Sequence, residues 1–248
     1  MKYTIKPMCM GHFNADSSIL LLRTKIGEPN KNTVNIFLIQ GEGENILVDT
    51  GSLPNEINPP ERPQYLTMEG YHPLPELLAE QGLKCSDITK IILTHLHYDH
   101  CWNLELFPGI PIYVQCKELE NAVNPIHWDL RVYSLLPGGE IPDWAKHQSR
   151  IVRIDGDFDL LPGIKLLFTP GHTKGSQSVL VDTKEGKYLL TGDFLPRRES
   201  YEKQIPNAII NDLNAWSASY KKVHGIVDGS DKILPSHEWM VHERKIYG

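Results

Sequence analysis

Apolar residues gather in short runs separated by polar or glycine-bearing turns, and these runs set the expected architecture. Val34-Asn35-Ile36-Phe37-Leu38-Ile39-Gln40, then Gly41 to Asn45, then Ile46-Leu47-Val48-Asp49-Thr50-Gly51 read as strand, turn and strand. Gln177 to Asp182, turning at Thr183 to Gly186 into Lys187-Tyr188-Leu189-Leu190-Thr191-Gly192-Asp193, repeats the design and again finishes on an acid beside a glycine. A hairpin used twice predicts two related halves. Lys90 to Leu93, Pro111 to Val114, Ile164 to Phe168 and Lys232 to Leu234 read as further buried strands, and Ile19 to Leu22 as another whose partner is unassigned.

Helical spacing occurs at Leu74, Leu77 and Leu78, with Pro75 suiting the first turn and Gly82 the end. Cys116 to Val123 reads as a short helix, and Ile209, Ile210, Leu213, Trp216, Tyr220 and Val223 share one side of a helix running roughly from Asn207 to His224. Strands alternating with helices predict a layered α/β fold with its site at one sheet edge. Residues 54 to 75, rich in Pro, Asn and Glu, are expected to form a surface excursion carrying Tyr65 and Tyr71. Residues 124 to 150, with His127, Trp128 and Trp144, show no sustained period and are expected to be an insertion or lid. No linker composition divides the chain, so residues 1–248 read as a single domain.

The densest chemistry is Thr94-His95-Leu96-His97-Tyr98-Asp99-His100, directly behind the Lys90 to Leu93 run. In extended backbone His95 and His97 point to one side, and Asp99 and His100 follow as the chain turns away. Three histidines and an aspartate this close are costly to bury without a cation. Two other apolar strands also finish on a histidine, at Thr169-Pro170-Gly171-His172 and Pro235-Ser236-His237. The candidate ligands are therefore His95, His97, Asp99, His100, His172, Asp193 and His237. Five imidazoles and two carboxylates suit two divalent ions, zinc first, with Fe, Mn, Co or Ni also compatible; a carboxylate can bridge the pair. His12 stands alone and reads as a satisfied surface histidine.

A formal net charge of -6 disfavours a nucleic-acid partner and leaves small molecules as substrates. Cys9, Cys85, Cys101 and Cys116 have no Cys-x-x-Cys spacing and read as free thiols, Cys101 being notable for following the ligand cluster. Met1 to Pro7 has no signal-peptide pattern and no run approaches a membrane span, so a cytoplasmic protein with no membrane partner is expected. No feature sets an oligomeric state.

With these motifs the sequence resembles the metallo-β-lactamase fold superfamily, whose His-x-His-x-Asp-His motif matches residues 95 to 100, followed by matches at His172, Asp193 and His237. The resemblance covers nearly the whole chain and implies a four-layer αββα sandwich of two related halves. It implies one metal on His95, His97 and His172, the other on Asp99, His100 and His237, Asp193 as bridge, and Asp49 as a carboxylate orienting a ligating histidine. Within the superfamily the chain resembles the N-acyl homoserine lactonase-like, quorum-quenching group, in length, in Leu47-Val48-Asp49-Thr50-Gly51 and in Gly171-His172-Thr173-x-Gly175-Ser176-Gln177-Ser178. Those lactonases carry a tyrosine three residues after the bridging aspartate, where this chain has Pro196.

The chemistry so implied is hydrolysis of a lactone or related cyclic ester by a hydroxide held between two cations, which lower the pKa of bound water toward about 7. A metal would polarise the carbonyl, and Asp99 would pass a proton to the departing alkoxide. Another acyl ester, amide or phosphoester is the runner-up, and a non-catalytic metal binder a third reading. His127, Trp128 and Phe194 are the candidate substrate contacts, and Arg197 and Arg198 form either an anion-attracting pair or a basic surface turn. His97 stands where flavodiiron reductases have glutamate, and the chain ends too soon after His237 for the helical domain of glyoxalase II. Asp193 holds the place of the zinc-ligating cysteine of secreted β-lactamases, and no basic surface suggests a nuclease.

Overall fold

A computed structural model of the chain describes residues 2–52, 68–135 and 141–248. A six-stranded sheet contains β1 (Thr4–Asp16), β2 (Pro29–Gly41), β3 (Glu44–Val48), β4 (Lys90–Ile92), β5 (Ile112–Gln115) and β6 (Ile151–Ile154) in that spatial order. A five-stranded sheet follows the order β11-β10-β9-β8-β7, comprising β7 (Phe158–Leu161), β8 (Ile164–Phe168), β9 (Gln177–Thr183), β10 (Gly186–Gly192) and β11 (Ile233–Pro235). Five α-helices accompany them among the described residues: α1 (Leu74–Glu80), α2 (Cys116–Val123), α3 (Asp143–Lys146), α4 (Arg198–Lys203) and α5 (Leu213–Val223).

The two-residue periodicity of strands decides which side chain enters which layer. Phe37 and Ile39 of β2, Ile46 and Val48 of β3, and Ile92 of β4 meet Ile164 and Leu166 of β8, Val179 and Val181 of β9, and Tyr188 and Leu190 of β10 in one apolar cluster between the sheets. The alternate residues Ile36, Leu38, Leu47 and Ile91 turn outward to Leu74, Leu77 and Leu78 of α1 and to Trp144 of α3. On the far side, Leu167, Leu189 and Ile233 face Trp216, Tyr220 and Val223 of α5 and Tyr201 of α4. Helix, sheet, sheet and helix are thus stacked as the four-layer sandwich expected from the sequence. Both predicted hairpins form; the first turns on Glu42 (φ 52°) and Gly43 (φ 80°), the left-handed pair that matches strand twist in a two-residue connection.

Several local expectations are corrected. Ile19 to Leu22 is no strand: Asp16 Oδ1 accepts from Ser18 N–H and closes a 3-10 turn at Ser17–Ile19. The last long helix begins at Leu213 rather than Asn207, because the Asp212 carboxylate caps the amides of Asn214 and Ala215. The long β1 and the short β6 and β7 were not anticipated. Residues 54–67 of the expected excursion, with Tyr65, lie outside the described residues, while Tyr71 packs on the helix-facing core of the first sheet. In its described parts, the 124–150 segment is anchored to that same core through Tyr133 and Trp144. The Arg150 guanidinium also ties its end to the carbonyls of Leu104, Phe107 and Ile110.

Candidate metal centre

Five strands release their chains at one edge of the sandwich, and each delivers a polar side chain there. Asp49 follows β3, the His95 to His100 loop follows β4, His172 lies four residues beyond β8, Asp193 follows β10 and His237 follows β11. Gathered this way, His95, His97 and His172 form one group of ligand atoms within 4.8 Å of one another, and Asp99, His100 and His237 form another. His95, His100 and Asp193 satisfy the same limit, so the two groups are contiguous.

Asp193 lies between the groups. Its Oδ2 is 3.5 Å from His172 Nε2, whereas its Oδ1 is 3.2 Å from His100 Nε2 and 2.9 Å from His237 Nε2. Asp99 Oδ2 completes the second group at 3.7 Å from both His100 Nε2 and His237 Nε2. Within the first, His172 Nε2 lies 3.2 Å from His95 Nε2 and 3.1 Å from His97 Nδ1.

The outward ring nitrogens show why metal ions fit. His172 Nδ1 donates to the Ile209 carbonyl at 2.5 Å, His237 Nδ1 to the Thr33 carbonyl at 2.7 Å, and His100 Nδ1 to Asp49 Oδ2 at 2.8 Å. Each partner only accepts, so Nδ1 of each ring carries a proton and Nε2 is the atom turned inward. His95 Nδ1 contacts Thr94 Oγ1 at 3.0 Å. Lone pairs that meet one another in a dry site are electrostatically mismatched until a cation lies among them. His172 Nε2, set between His95 Nε2 and His97 Nδ1, is such an atom.

Asp49 does more than orient His100. It occupies the left-handed region at φ 64°, a conformation that aspartate tolerates better than most residues. From there Oδ1 accepts from Thr94 N–H at 2.7 Å and Oδ2 from Thr94 Oγ1 at 2.9 Å, which links the Asp49 turn to the start of the histidine loop.

Burial lowers the pKa of His95 and His97 well below the ordinary value, with neighbouring imidazoles adding to it, and lowers His172 against the opposing pull of Asp193. Burial acts the same way on His100 and His237, but Asp193 and Asp99 outweigh it and raise both. Burial would raise Asp193; His237 and His100 overcome it and hold that carboxylate well below its usual range.

Other candidates fall elsewhere. Phe194 has no exposed surface and stacks toward Trp216 at 6.0 Å, so its ring belongs to the core under α5. His127 is exposed and Trp128 is 84% exposed on a 3-10 turn whose Asp129 is hydrogen-bonded by Asn211, near the His172 loop. His12 Nε2 pairs with Glu69 at 3.3 Å, and the Cys101 thiol donates to the Leu96 carbonyl. Arg197 donates to Asn32 Oδ1, and Arg198 Nε to the Ile233 carbonyl. Three residues outside the sequence candidates also meet the site: Thr94, Ser236, whose hydroxyl donates to Asp193 Oδ1 at 2.6 Å, and Phe13, whose ring lies edge-on to His237 at 5.5 Å. Thr94 and Ser236 are adjacent to ligands and could have been flagged by position; Phe13 had no local signal.

Known proteins resemble the chain over most of its length. The N-acyl homoserine lactonase AiiA of Bacillus thuringiensis subsp. kurstaki is 32% identical over 208 residues, 80% of this chain and 78% of that protein. An N-acyl homoserine lactone hydrolase solved with the product N-hexanoyl-L-homoserine at its catalytic metal centre superposes with a TM-score of 0.77 at 26% identity, covering 98% of this chain and 96% of the other. The bovine acyl-coenzyme A thioesterase MBLAC2 is 25% identical, with 83% of this chain and 73% of that protein covered. Residues 29–225 match the metallo-beta-lactamase superfamily, and the chain is a member of that family of metal-dependent hydrolases.

Proposed function

We propose that this protein opens N-acyl homoserine lactones or related cyclic esters at a dinuclear metal centre, a quorum-quenching activity. The observation that carries the reading is the division of Asp193, whose two oxygens face different imidazole groups. His95, His97 and His172 would hold one cation and Asp99, His100 and His237 the other, with Asp193 available to both and Asp49 orienting His100. Divalent ions bound there, zinc or another imidazole-compatible metal, would supply Lewis acidity toward a carbonyl and lower the pKa of water.

The protein's own groups then divide the remaining work. Asp99 is 17% exposed, against 7% for Asp193 and 5% for Asp49, so it is the carboxylate that meets both the cluster and solvent. It carries the proton to the alkoxide leaving the opened ring. Ile209, Thr33 and Asp49 hold the imidazoles in the tautomer that faces inward. His127 and Trp128 offer the acyl chain a surface beside the His172 loop. The four cysteines are free thiols, which fits a reducing cytoplasm; among the described residues no helix is long and apolar enough to cross a membrane.

The test is turnover of metal-reconstituted protein on lactones of varied ring and acyl chain, beside thioesters and phosphodiesters. Lactone opening that a chelator abolishes is expected. Turnover of phosphodiesters alone, or none on any substrate with metal bound, overturns the assignment.

A further inference from the structure

Glu118, in the first turn of α2, has no solvent exposure. A carboxylate there is costly unless hydrogen bonds replace its water. Four donors do so. Oε1 accepts from Leu96 N–H and the Tyr133 hydroxyl, both at 2.9 Å, and Oε2 from Thr173 Oγ1 at 2.5 Å and Gly175 N–H at 3.2 Å.

These donors belong to the segments that carry one ligand group and not the other. Leu96 sits between His95 and His97, Thr173 follows His172, and the Tyr133 ring stands edge-on to His97 at 4.8 Å. The packing leaves no slack: a Cβ at Gly175 would come within 2.0 Å of the Glu118 backbone nitrogen. His100 and His237 are instead oriented by Asp49 and Thr33.

We propose that Glu118 is a positioning residue for the all-imidazole group, clamping the His95–His97 loop to the His172 loop and so setting the affinity of one cation independently of the other. The inference rests on the two-cation assignment above. Glutamine fits the same space but has a single carbonyl oxygen, so its amide nitrogen must face either Leu96 N–H or Gly175 N–H, donor against donor.

The experiment is equilibrium titration of the full chain with Co(II), following the visible bands. Wild type should bind two ions. Glu118→Gln should retain one at wild-type affinity while the other weakens by about 10- to 100-fold, the usual cost of losing a group that orients metal ligands. Thr173→Val, which removes one donor, should shift the same ion by a smaller factor. On a His97→Ala background, where the all-imidazole group is already broken, Glu118→Gln should leave the remaining ion unaffected. Equal weakening of both ions marks a general structural role and overturns the proposal, as does unchanged binding. If Glu118→Gln does not fold, wild-type affinities in Thr173→Val overturn it. Failure of the wild type to bind two ions would instead sink the two-cation assignment.

Discussion

The two groups of candidate ligands meet at Asp193 and lie against each other, yet their electrostatics are opposite. His95, His97 and His172 carry lowered pKa values, burial leading, and stand neutral with bare nitrogens. In His100 and His237 the same burial is outweighed by Asp193 and Asp99, so these rings keep their protons to higher pH than the first three. At a given pH the first group therefore releases fewer protons to an incoming cation than the second.

The sign of the pH dependence follows. His100 and His237, raised in the fold, stabilise the metal-free protein below the ordinary imidazole value of 6.5, and that contribution fades as pH climbs through their raised values. Asp193, depressed, contributes above its ordinary 3.8 and loses its effect as pH falls through the lowered value. His95, His97 and His172 weigh against the fold as pH drops below 6.5, because the unfolded chain takes up protons that they refuse.

The largest expected effect comes from removing what the groups share. Asp193→Ala should lose both metals and all hydrolysis; elemental analysis finding both retained would refute the bridge. His97→Ala strikes one group, and it should keep one metal per chain while activity disappears; full retention of two would contradict the ligand assignment. Asp49→Asn should be milder, weakening metal binding by about 10- to 100-fold. Its Thr94 bonds reach toward His95 as well as His100, so both ions should weaken, in contrast to the selectivity expected of Glu118→Gln. An effect confined to one ion would show that the Asp49–Thr94 link is idle.

Much of this was legible in the sequence because it is local. Four candidate ligands fall in six positions at 95 to 100, and His172, Asp193 and His237 each follow an apolar strand. The alternation in β2, β3, β9 and β10 likewise announced two hairpins. β1 was hidden because Lys6, Pro7 and Gly11 interrupt its pattern, and its order comes from twelve residue pairings with β2. The α5 boundary was misread because Ile209 and Ile210 extend its apolar spacing, whereas Asp212 sets its start. Phe194 adjoins Asp193, yet its ring turns to Trp216. Glu118, within Lys117-Glu118-Leu119-Glu120, reads as one more helix-surface acid; only the packing of three distant segments reveals its role.

The most direct test of two unequal groups bridged by one carboxylate is calorimetric titration of metal-free protein with zinc near neutral pH, in buffers of different ionisation enthalpy. The account predicts two binding events per chain that differ in buffer dependence, one releasing more protons than the other. A single event, or two with the same proton release, would contradict it.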